Sequence, residues 1–156
     1  MKVIYSDQPA YDGSERPSIF LVGPTPRRAD VLSWRPVALQ ILEQVGFQGV
    51  VLVPEPSNGG RFISYDYQVE WERAGLEKCN YIVAWVPREL PHMPALTTNV
   101  EFGYWLAKSP ARLMYGRPDY AANISYLDWL YKLETGRTPF NKLEDMLAEV
   151  TLYGSL

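Results

Sequence analysis

One cysteine and one histidine are all that 156 residues offer to a soft metal or a thiol couple. A lone Cys79 closes no intramolecular disulfide, and two such ligands cannot build a Cys/His metal site within one chain. Residues Met1 to Asp12 lack the apolar core of a signal peptide. No apolar run approaches the roughly 20 residues that span a bilayer. A reducing cytoplasm is the expected compartment, with no membrane partner. An excess of positive charge is missing as well. Fifteen Lys and Arg face 18 Asp and Glu, a formal net charge of −3, so the molecule as a whole presents no footprint for a nucleic-acid polymer.

What is present is a globular balance: 47% hydrophobic and 21% charged residues, enough apolar material for a core without staples. The length fits one domain, expected over residues 1–156. Three runs, Ser18–Val22, Gly49–Val53 and Tyr81–Val86, are rich in Ile, Val and aromatics without clean alternation, which predicts strands buried on both faces. Ala111–Tyr115 is a weaker fourth, and Lys2–Tyr5 a short extra candidate. Helical spacing predicts Trp34–Val45, Tyr65–Lys78, Thr98–Lys108, Ile124–Glu134 and Leu143–Leu152. Strand and helix alternate, so the expected class is α/β, a parallel sheet with helices on both faces. Pro/Gly clusters at 24–26, 54–60, 87–94 and 116–118 follow the strand runs. They belong on the carboxyl edge of the sheet, where open α/β sheets bind ligands.

Two carboxylates stand out. In the second predicted helix, Tyr65, Val69, Leu76 and Cys79 form an inward stripe, and Glu72 falls within it. A carboxylate facing a core is costly unless paired or protonated; desolvation would raise its pKa and suit it to proton donation. The structural alternative rotates the helix and pairs Glu72 with a basic side chain at the rim. Asp66, near the start of the same helix, has the position of a cap. In the third helix, Thr98 and Glu101 have capping-box spacing, yet the helix start follows the third strand and its loop, which brings Glu101 within reach of the crevice. Gly103 costs about 1 kcal/mol in a helix interior, and its missing side chain suggests close approach by another backbone or a ligand.

These residues resemble the nucleoside 2-deoxyribosyltransferase-like family. Ile19-Phe20-Leu21-Val22-Gly23-Pro24 is similar to the family's first strand and its glycine-proline turn. Glu72 to Val86 resembles the stretch in which an acidic residue precedes the third strand, and Asn99-Val100-Glu101-Phe102-Gly103-Tyr104 resembles the nucleophile helix. The resemblance covers about Ile19 to Tyr115. It implies a flavodoxin-like three-layer sandwich with a mostly parallel sheet and helices on both faces. It also implies cleavage or exchange of the N-glycosidic bond of a 2-deoxyribonucleoside through a covalent glycosyl-glutamate, with Glu101 as nucleophile, Glu72 as acid or as sugar or base ligand, and Asp66 as second choice for that role. No metal or cofactor is implied. Gly23, Pro24 and Asn99 join the substrate contacts by their place in these motifs. The stretch Pro87–Leu96 departs from the family's acidic, glycine-containing segment, and Glu89 is a weak substitute for the missing acid.

Other residues extend the candidate set. Arg27, Arg28 and Arg117 follow strands and could hold a phosphate if they reach the crevice. Tyr65 and Tyr67 could stack on a base. The Gly59-Gly60 loop lacks a phosphate-binding signature, and His92 between prolines reads as a bystander. A related branch of the family hydrolyses deoxynucleoside 5′-phosphates, which is one alternative; a nucleotide-binding or sensing domain without chemistry is another. The expected partner is a small nucleoside or nucleotide, and the aromatic region Tyr126 to Tyr153 suggests a homo-oligomer.

Overall fold

The computed structural model describes residues 1–26, 30–59 and 63–154. Arg27, Arg28 and Gly60 lie outside the described residues. The chain runs β1 (Lys2–Tyr5), β2 (Ser18–Val22), α1 (Arg35–Gln44), β3 (Val50–Val53), α2 (Tyr65–Lys78), β4 (Tyr81–Trp85), α3 (Leu96–Lys108), a 3₁₀ turn at Pro110–Arg112, β5 (Leu113–Gly116), α4 (Ser125–Thr135) and α5 (Leu143–Gly154). The weak fourth run is thus split: Pro110–Arg112 turns before pairing begins at Leu113.

All pairings among the described strands are parallel, in the order β1-β3-β2-β4-β5. Every residue of β2 and β3 is buried, which is why their sequences do not alternate. Phe20, Leu52, Ile82 and Ala84 face a layer containing Trp71, Phe102 and Tyr131 from α2, α3 and α4. Ile19, Leu21, Val51, Val83 and Met114 face Leu42, Met146 and Leu147 from α1 and α5. The architecture is therefore α/β, a flavodoxin-like three-layer sandwich. From β2 the chain moves outward to β3, then returns across β2 to β4. That reversal opens a crevice beyond the carboxyl ends of β2 and β4, and the four Pro/Gly clusters follow β2, β3, β4 and β5 on this edge.

Two helix starts differ from expectation. α2 is capped by Ser64, whose Oγ accepts from Tyr67 N at 3.2 Å; Asp66 lies in the first turn and is exposed. α3 begins at Leu96 after Ala95 in the left-handed region, with no side-chain cap. The Thr98–Glu101 capping box is therefore not formed: Thr98 is buried, and Glu101 sits in the second turn, past the free N–H groups. The stripe on α2 is also rotated. Gln68, Trp71, Gly75 and Leu76 are buried, whereas Tyr65 is 81% and Val69 42% exposed. Gly75 sets the rotation, because a Cβ there would lie 2.9 Å from the Phe20 ring, so only glycine lets this face seat on the sheet. No helix among the described residues is long and apolar enough to cross a membrane.

Candidate active site

A cavity of about 240 Å³ lies in the crevice. The turn after β2 contributes Gly23, Pro24 and Thr25, and Pro54 follows β3. Tyr65, Gln68 and Glu72 enter from α2, and residues 94–98 and Glu101 from the start of α3. Gly23 is required by packing: a Cβ would stand 2.3 Å from the Trp85 carbonyl oxygen and 2.8 Å from the Trp34 ring. Any side chain would push the turn away from β4 and distort this wall.

Glu72 and Glu101 are both brought to the cavity. Burial holds the Glu72 carboxyl above its ordinary range, opposed by a 2.5 Å hydrogen bond from Gln68 Nε2 and by the positive charge of Arg35. Burial pushes the Glu101 carboxyl up to about 7, helped by the negative charge of Glu72 and opposed by Arg35. Like charges in one hollow cannot both ionise cheaply, so the last proton leaves the pair only at about pH 7.

Arg35 is the group that sequence reasoning missed. It opens α1, is 1% exposed, and lines the same cavity. Its Nε donates to Leu21 O at 3.2 Å and Nη2 to Gly23 O at 2.7 Å. Nη1 donates to Thr25 Oγ1 at 3.1 Å and to Glu55 Oε1 at 2.5 Å. Burial pulls the guanidinium down from its usual range, while Glu55 first, then Glu101 and Glu72, hold it charged. The turn after β2 is thus wrapped around a buried cation. Periodicity gives no sign of this, because arginine counts as surface in any binary pattern. Gln68 was missed for the same reason. It is 6% exposed, and its Nε2 also donates to Pro54 O at 3.4 Å. Its Oε1 is buried with no partner.

Several other candidates lie elsewhere. Asp66, Asn99 and Arg117 are not among the residues lining the cavity. Asn99 Oδ1 accepts from Arg88 Nη2, and Arg88 is itself buried in the loop after β4. Arg117 is engaged by Asp128, Nη2 to Oδ2 at 2.9 Å and Nε to Oδ2 at 3.2 Å. Tyr67 Oη donates to Gln8 O at 3.2 Å, which commits it to the N-terminal segment. Glu89 is exposed and off the cavity. Gly103 faces open space, with nothing within 4 Å of an added Cβ, so no close approach explains it. Cys79 is buried at the end of α2, and desolvation raises its thiol to about 11. Among the described residues no group of His, Cys, Asp and Glu could hold a metal ion.

A family model described as nucleoside 2-deoxyribosyltransferase like matches residues 16–120, more than half of the chain. The matched segment begins just before β2 and ends after β5, so it contains Arg35, Glu72 and Glu101 but neither α4 nor α5. No curated protein matches the chain.

Proposed function

Because the chain belongs to the nucleoside 2-deoxyribosyltransferase-like family, we propose that it cleaves or exchanges the N-glycosidic bond of a 2-deoxyribonucleoside, with Glu101 as nucleophile and Glu72 as proton donor. The observation that carries the reading is the convergence of these two carboxyls on one cavity, each held above its ordinary range by burial. In the first half-reaction a Glu101 oxygen bonds to the anomeric carbon as the carbon–nitrogen bond breaks. The bonding pair leaves with the base, which takes the Glu72 proton. In the second half-reaction another base, or water, attacks the same carbon and returns its proton to Glu72 while Glu101 departs. This is the logic of retaining glycoside chemistry. Lacking a 2′-hydroxyl, a deoxyribosyl centre reaches the oxocarbenium-like state more easily.

Among the described lining residues Arg35 is the one cation, and its donors are spent on the β2 turn and on Glu55. Each common deoxynucleoside, incubated with a different free base, tests the proposal. Expected is base exchange, or release of free base where water intercepts, with loss of both in Glu101→Gln. Failure with all deoxynucleosides and their 5′-phosphates, or full activity in Glu101→Gln, overturns it.

A further inference from the structure

A second hollow, of about 310 Å³, meets the first at the two carboxyls. It runs between α2 and α3, and Tyr65, Val69, Glu72, Thr97 and Glu101 line both hollows. The two helices start at the cavity and run the same way; their last turns are tied by Lys108 Nζ donating to Glu77 Oε1 at 2.5 Å. They do not close against one another as α3 and α4 do. Between the carboxyls and that ion pair the walls are Leu76, Val100, Tyr104 and Trp105, with the exposed Arg73 on the α2 side. Tyr104 packs edge-on against Trp105 at 5.2 Å, and the Lys108 ammonium sits 4.9 Å from the Trp105 ring. The groove is bounded at both ends, acidic at one and ionic at the other, with mainly apolar walls between and one arginine, Arg73, beside them.

The two hollows differ in what they can satisfy. The first is lined by Gln68, whose Nε2 serves Pro54 O and Glu72, by the turn after β2 and by the two carboxyls. It is the more polar of the two and suits a hydroxylated ring. The groove instead leaves Val100 71% and Tyr104 50% exposed. From Glu72 to Leu76, and from Glu101 to Trp105, is one helical turn, about 6 Å of rise, room for a flat apolar group beyond the bond being cut. We infer that the hollows divide a glycoside between them: the sugar lies against Gln68, and the outer part of the base extends into the α2–α3 groove. The preferred aglycone is then a base carrying an apolar extension. The assignment rests on the deoxyribosyl-transfer reading and adds the class of leaving group.

The test is calorimetric titration of the whole protein with free adenine and with 6-benzylaminopurine, which needs no turnover. Expected is about ten- to hundredfold tighter binding of the benzylated base, the gain from burying part of an apolar ring. Val100→Arg, which puts a charge in the groove from an exposed position, should abolish that advantage, and Tyr104→Ala should reduce it severalfold. Equal affinities, or an advantage that survives Val100→Arg, overturn the assignment. So does a dimer, seen by sedimentation, that Val100→Arg dissociates while the two bases bind alike; a second copy then covers the groove. A benzyl advantage without exchange of any deoxynucleoside refutes the catalytic reading and leaves the groove a ligand site. Exchange of plain bases with no benzyl advantage does the reverse.

Discussion

Glu101→Gln should stabilise the folded chain as it removes activity, and the stabilisation should depend on pH. In the unfolded chain this carboxyl titrates near its ordinary 4.5; in the folded protein burial and Glu72 push it up to about 7. Between those values the native state holds the proton more tightly than the unfolded state, so stability falls as pH rises through the window. Above pH 7 both states are ionised and the loss is complete. Ionising a carboxyl moved that far costs about 3 kcal/mol more in the folded than in the unfolded chain. Glutamine is neutral throughout and keeps the shape. Urea unfolding of wild type and variant at pH 4.5, 6 and 8 should therefore show stabilities that nearly coincide at the low end and separate by up to about 3 kcal/mol at the high end. In thermal melts the same difference is a Tm shift of roughly 6–12 °C. A difference that stays flat with pH, or a variant less stable at pH 8, would refute the claim that Glu101 is held ionised at a cost to the fold.

The same pair predicts the activity profile. Reaction needs the shared proton on Glu72, although Glu101 is pushed up by the negative charge of Glu72; both arrangements carry one proton, so kcat/KM should trace a bell whose alkaline limb falls near pH 7, and a rate still rising from pH 7 to 9 contradicts it. Arg35→Met leaves Glu55, whose side chain is only 18% exposed, without its cation. It should destabilise by about 3–5 kcal/mol in urea, and in any folded fraction move the alkaline limb upward, since the charge opposing the Glu101 shift is gone. Gly23→Ala forces the turn off the Trp85 carbonyl; a loss of about 1–3 kcal/mol with weakened nucleoside binding is expected in calorimetry. Gly103→Ala meets nothing within 4 Å and should gain about 1 kcal/mol by thermal melting at unchanged activity.

The strands and helices were legible because burial on both faces of a parallel sheet leaves plain marks: continuous apolar runs, 3.6-residue spacing between them, and turn residues after each strand. What failed were rotations and caps. The apolar stripe on α2 passes through Tyr65 and Val69, which line the cavity instead of the core. Apolar character does not tell a core face from a ligand face. The capping box at Thr98 failed because a left-handed Ala95, invisible to any pattern, starts the helix two residues early. Glu72 is marked in the sequence by a stripe that the fold rotates, and Glu101 by the helix start after the third predicted strand; both line the cavity. The basic half carries no such mark. Arg35 and Glu55 come from different elements, and their ion pair exists only once β2 and β3 stand side by side.

That hidden half decides the electrostatics. Arg35 and Glu55 cancel, and a Glu72–Glu101 pair sharing one proton leaves the four groups with one net negative charge. Desolvation raises both carboxyls, so this charge is screened less than in water and is in place before any substrate arrives. A reaction whose centre becomes positive as a bond to nitrogen breaks gains from such a field, whereas an incoming phosphate is opposed by it. Arg35 alone would have tipped the balance the other way by holding both carboxyls ionised, with no proton left for the departing base. The neutralising Glu55 limits that effect, and keeps a fully buried cation in the wall without handing its full charge to the cavity.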